Sequence, residues 1–97
     1  MTYAFYYDVP GTPEMYELVR QELGPDRPPG MVLQLVTTAD GGLRHLNVWE
    51  TREQWETYRN ARVRPAVSTV LHRLEVPPPS TTPHEHPLQI VDLDRPI

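Results

Sequence analysis

The chain has 97 residues, 12 of them proline, with neither cysteine nor lysine, and nine arginines against 13 carboxylates give a formal net charge of −4. Without cysteine there is no disulfide framework, thiolate nucleophile, iron–sulfur cluster or cysteine zinc site, and without lysine no Schiff-base chemistry and no Walker-type phosphate loop. The acidic balance speaks against nucleic acid as a partner, because that binding rests on phosphate neutralisation, and no apolar run approaches the ~20 residues that span a bilayer.

Prolines divide the rest into elements, because proline lacks a backbone donor and has a fixed φ. Thr2 to Val9 is rich in aromatic and β-branched residues and predicts a strand. One face carries Tyr3, Phe5, Tyr7 and Val9; the other carries Ala4, Tyr6 and Asp8. Pro10-Gly11 turns the chain, Thr12 is a good N-cap and Pro13 suits a first helical position. Met15, Leu18, Val19 and Leu23 then keep the spacing of an amphipathic helix, which Gly24-Pro25 stops.

Met31 to Thr38 is a near-continuous apolar run of strand length, and Ala39-Asp40-Gly41-Gly42 is a hairpin signal. Leu43 to Glu50 returns as a strand, with Leu43, His45, Asn47 and Trp49 on one face and Arg44, Leu46, Val48 and Glu50 on the other. Thr51 with Gln54 is a capping box opening the next helix. Trp55, Tyr58, Arg62, Ala66, Val70 and Leu74 line one side of it, and Pro65 should kink it or divide it into 52–63 and 66–74. A proline-rich connection, 76–87, carries no regular element, and Leu88 to Leu93 predicts a last short strand. The order is β-α-β-β-α-β over a single domain, 1–97, which predicts an α+β, ferredoxin-like fold: a four-stranded antiparallel sheet with two helices on one face.

Such a sheet leaves one face open, and in a monomer that face should be polar. Here the first three strands carry apolar residues on both faces. The chain has no further helix to cover them, so a second copy is the expected cover, and a homodimer through the open sheet face is predicted.

The segment from Gly41 to Tyr58, together with this element order, resembles the dimeric α/β-barrel superfamily, and within it the antibiotic biosynthesis monooxygenase-like domain. The resemblance lies in a strand ending in Trp49-Glu50, the cap Thr51 and a second aromatic, Trp55, six residues after Trp49. It implies a dimeric α/β barrel with a cavity in each protomer, and an activity among cofactor-independent monooxygenases, haem-degrading enzymes and lactone isomerases. The positions that hold a second tryptophan and the haem-ligating histidine in the haem-degrading members are Tyr58 and Ser68 here, so the resemblance implies no haem and no other cofactor.

His45, Asn47 and Trp49 share one strand face, and buried histidine and asparagine need hydrogen-bond partners. A bound carbonyl or phenol could supply them, as could Gln34, a tyrosine or one another. With Leu46 and Val48 packed on the helices, the trio would face the space between protomers. The expected site for a small aromatic ligand therefore has His45 as base and Asn47 polarising an oxygen. Tyr3, Phe5, Tyr7, Gln34, Trp49 and Tyr58 line it. The alternative is a non-enzymatic dimeric binding or stress-response module, whose interior would be filled by bulky side chains under Trp49. A lactone isomerase ranks third: it would need paired carboxylates at the cavity, and Asp8 and Glu50 do not pair by strand parity.

His84 and His86 lie on one side of an extended segment at a spacing seen in metal sites, but no third ligand is evident and no metal is expected. The arginines 59, 62, 64 and 73 alternate with glutamates as an ion-paired, solvated face. Arg62, on the apolar stripe, is the exception, able to reach Asp8 or an anionic ligand. Residues 1–9 hold neither the basic region nor the apolar stretch of a signal peptide, so a cytoplasmic protein without membrane contact is expected.

Overall fold

A computed structural model describes residues 2–79 and 82–95. Ser80 and Thr81, inside the predicted proline-rich connection, and the terminal residues 1, 96 and 97 lie outside the described residues. The elements are β1 (Tyr3–Pro10), α1 (Pro13–Leu23), β2 (Met31–Ala39), β3 (Gly42–Trp49), α2 (Arg52–Tyr58), a π-helical turn (Arg59–Val63), α3 (Arg64–Arg73) and β4 (His86–Leu88). The four strands form one antiparallel sheet in the order β2-β3-β1-β4. With two helical rods, α1 and the run from α2 through α3, this is an α+β fold compatible with the ferredoxin-like arrangement.

The helix starts follow from their caps. The Met15 amide donates to Thr12 Oγ1 at 3.2 Å and the Gln54 amide to Thr51 Oγ1 at 3.1 Å, each satisfying a donor that a helix start leaves free. The Gln54 side chain completes its half of the box differently: its Oε1 accepts from the Thr51 hydroxyl rather than from a backbone amide. Gly24, at φ 82°, ends α1 in a conformation that favours glycine.

Pro65 does not divide the second rod. It sits in the first turn of α3, where its missing donor costs little. The disturbance appears one turn earlier as the π-helical segment, closed by an Arg64 amide that reaches back five residues to the Arg59 carbonyl. The wide turn changes the buried side only locally, and Ala66 and Val70 beyond it stay buried on the predicted stripe. Val63 packs on the aromatic core, whereas Arg62 is exposed and donates to the Leu23 carbonyl at 2.7 Å, capping the end of α1. The predicted reach of Arg62 toward Asp8 is thereby replaced.

The last strand is also displaced, to His86–Leu88 rather than 88–93, so the connection ends at Glu85. Leu88 already pairs with Ala4, close to the start of β1, so the residues after it run out of partner. Pro87 is tolerated because β4 is an edge strand. At the other edge, β2 holds a bulge between Met31 and Leu33. It puts Met31 opposite Trp49 but Leu33 opposite Val48, breaking simple alternation along the run. The Arg27 guanidinium donates to the Met31 and Val32 carbonyls there, occupying acceptors that an edge strand leaves open.

Candidate functional site

The face of β3 that carries Leu43, His45, Asn47 and Trp49 lies against the helices, not on the open side. Tyr16 of α1 sets its ring edge on His45 at 5.5 Å, and Trp55 of α2 lies 5.6 Å from Trp49, 4.9 Å from Phe5 and 6.1 Å from Tyr7. The predicted placement of the trio between protomers is therefore reversed. Leu46 and Val48, opposite Tyr6 and Ala4, share the outer face with them and with Arg44, which is opposite Asp8 and lies over the Tyr6 ring. The trio packs against the helix layer of its own chain.

Phe5, Trp49 and Trp55 form the buried core of that layer, with Tyr3, Tyr7, Met31, Tyr58 and Val63 packed on it. Tyr7 stacks on His45 at 4.8 Å and 5°, and Tyr58 lies 5.4 Å from Trp49. Of the predicted lining residues, the tyrosines, Phe5 and Trp49 are thus brought together with His45 and Asn47. Gln34 is not: it stands directly across from Asn47 but on edge strand β2, where it is exposed.

His45 and Asn47 are 8% and 1% exposed. The Trp49 indole Nε1–H donates to Asn47 Oδ1 at 3.2 Å, which fixes the amide and aims its nitrogen elsewhere. Among the described residues, Asn47 Nδ2 and His45 Nδ1 are buried without a hydrogen-bond partner. Two such atoms, two residues apart on one strand face, are costly in a core, and a polar group placed against them would offset that cost. Burial lowers the His45 pKa from its ordinary value of 6.5, with the Asp8 charge opposing, so the imidazole is held neutral. Burial also raises the Tyr7 phenol well above its ordinary range, helped by Glu85, Tyr16 and Tyr58.

This shift has a consequence for stability. The unfolded chain binds a proton at His45 near pH 6.5 and the folded chain only at lower pH, so the unfolded state holds more protons in that window. Stability should therefore fall as pH drops below 6.5, and His45→Phe should flatten that part of the curve. Urea midpoints across pH 5–8 for both chains test this; equal slopes would show that His45 is not the group responsible.

Three further members of the site stand outside the predicted set. Tyr16 carries a signal, lying three residues before Val19 and seven before Leu23 on the helical spacing of α1. Glu85 lies in the irregular segment before β4, yet its Oε2 accepts from the Trp55 indole at 3.0 Å and from Arg59 at 2.9 Å. Arg59 looked like one more solvated arginine, but its side chain and that of Glu85 are only 20% and 16% exposed.

Two surface depressions, of about 390 Å³ and 450 Å³, lie away from these residues, one beside the β2–β3 turn and one beside Leu88 and Leu93. Among the described residues no group of three or more histidines and carboxylates could hold a metal ion, and no helix is long and apolar enough to cross a membrane. No protein-family model matches the chain, and no curated protein matches it significantly.

Proposed function

We propose that the chain is a homodimeric, ferredoxin-like α/β-barrel protein that binds a hydrophobic, aromatic metabolite between its sheet and helix layer and oxygenates it without a cofactor. The observation that carries this is the pair of unpartnered nitrogens, His45 Nδ1 and Asn47 Nδ2, set side by side among aromatic rings. An oxygen-bearing aromatic ring would satisfy both. The oxygenation follows from the resemblance in the Gly41–Tyr58 segment and suits these groups. A neutral His45 takes the proton of an electron-rich phenol or its keto form, and Asn47 Nδ2–H donates to the resulting oxyanion. The anion then reduces O₂. One oxygen atom becomes a ring carbonyl, and the other leaves as water with the two hydrogens of that ring carbon. The protein contributes deprotonation, positioning and exclusion of water.

The test is turnover of an anthrone under oxygen by the intact chain. The double variant His45→Gln/Asn47→Ala is expected to lose about 10²–10⁴ of the rate, the usual worth of a positioned acid–base group. Unchanged turnover in that variant would sink the assignment.

A second function, a non-enzymatic dimeric binding or stress-response module, is favoured by one observation: Trp55 and Tyr58 fill the space beneath Trp49. It predicts no oxidation of anthrone by the parent chain, followed by oxygen uptake. Turnover that depends on His45 and Asn47 excludes it in favour of the first.

A further inference from the structure

The aromatic layer is held at its open end by one carboxylate. Glu85 stands just ahead of β4, next to His86, which pairs with Tyr6. Its Oε2 accepts at once from the Trp55 indole nitrogen, 3.0 Å, and from the Arg59 guanidinium, 2.9 Å. Both partners are on the second rod, and Arg59 opens the π-helical turn. The carboxylate therefore ties the sheet edge to the place where the helix is irregular, and irregular turns of this kind recur at functional sites. Trp55 is the ring shared by Phe5, Tyr7 and Trp49. Its indole has only one donor, so the bond to Glu85 fixes which edge faces the sheet end and how the ring is rotated. Burial raises the pKa of the phenols at that end, Tyr3 and Tyr7, and the Glu85 charge adds to it.

We propose that Glu85 is a positioning residue: through the Trp55 indole and Arg59 it sets the aromatic wall against which a ligand at His45 and Asn47 packs. The ligand clause rests on the function proposed above; the orientation of Trp55 does not.

The chain has two tryptophans, so its indole amides give two resonances. Each bonds a different acceptor: Trp49 the Asn47 amide oxygen, Trp55 the Glu85 carboxylate. In the ¹⁵N-labelled 97-residue chain, Glu85→Gln should shift the Trp55 resonance and speed its exchange with water about tenfold, the scale of a lost charge-assisted hydrogen bond. The Trp49 resonance should stay in place. Arg59→Met, which leaves the indole acceptor intact, should move the same resonance less and in the same direction, and it serves if Glu85→Gln does not fold. The apparent Kd for 2-naphthol should weaken in parallel, with Glu85→Asp intermediate.

An unmoved Trp55 resonance in a folded variant overturns the proposal, as does equal movement of both indoles, which would signal general loosening. Failure of the parent chain to bind 2-naphthol overturns the proposed ligand instead, because the indole measurement is made without one.

Discussion

Trp49→Ala should lower unfolding stability by about 3–5 kcal/mol, the range for truncating a buried tryptophan, and so by much of what a domain of this size possesses. Trp49 has no exposed surface and touches both Trp55 and Tyr58. Truncation removes those contacts and leaves a cavity that three elements border. It also removes the one partner that Asn47 Oδ1 has among the described residues, so that Asn47, 1% exposed, would have neither end of its amide satisfied there. An orphaned buried polar group adds its own cost of about 1–3 kcal/mol. Trp49→Phe separates the two contributions: it keeps most of the apolar contact and loses the indole donor. Urea denaturation of the three chains should place Trp49→Phe between the parent and Trp49→Ala. A loss below about 1 kcal/mol for Trp49→Ala would mean that the layer repacks freely, contrary to the close packing expected of an interior.

The elements were legible because proline, glycine and the capping residues act locally. Thr12, Thr51 and Gly24 end up in the roles their chemistry suggests. The alternation of β3 likewise put His45, Asn47 and Trp49 on one face. What sequence could not settle was which face of the sheet the helices take, since both are apolar. That choice depends on Trp55 and Tyr16 arriving from elsewhere in the chain. The bulge in β2 and the π-helical turn each insert one residue into a regular count: the bulge sends Leu33 and Leu35 outward, and the turn brings Val63 inward in place of Arg62 while Ala66 and Val70 keep their places. Glu85 was illegible for a different reason. Its partners, Trp55 and Arg59, are 30 and 26 residues away, and nothing in a proline-rich segment marks one carboxylate as the one that turns in.

Because the helices take the His45 face, the outer face of the sheet is left to Leu33, Val48, Ala4 and Leu88 in one row and Leu35, Leu46, Tyr6 and His86 in the next. Leu33 and Leu35 are 45% and 51% exposed within one chain. Ala4 and Val48 are already buried within the chain, so the open apolar surface is Leu33, Leu35 and Leu88 with the half-buried Leu46 and Tyr6 between them, a patch that a partner could cover. Beyond them the Arg44–Asp8 pair, bonded at 2.8 and 3.0 Å, supplies a polar rim. A two-fold partner laying the same face on this one would bury the rows and keep the rim wet, the usual anatomy of such contacts. Leu46 is central in its row and its side chain points away from the helix layer. Leu46→Glu should therefore leave the fold intact while placing a carboxylate at the centre of the contact, where desolvating an unpaired charge is expensive. A dimer formed through this face should dissociate at concentrations at least about 100-fold higher than the parent's, equivalent to about 3 kcal/mol. Thr37→Glu, in the rim row with Arg44, should change little at moderate salt, because rim charges stay hydrated. Light scattering across a dilution series reads both. A parent chain that stays monomeric throughout would overturn the dimer, and a Leu46→Glu chain that keeps the dimer mass would show that the copies meet on some other surface.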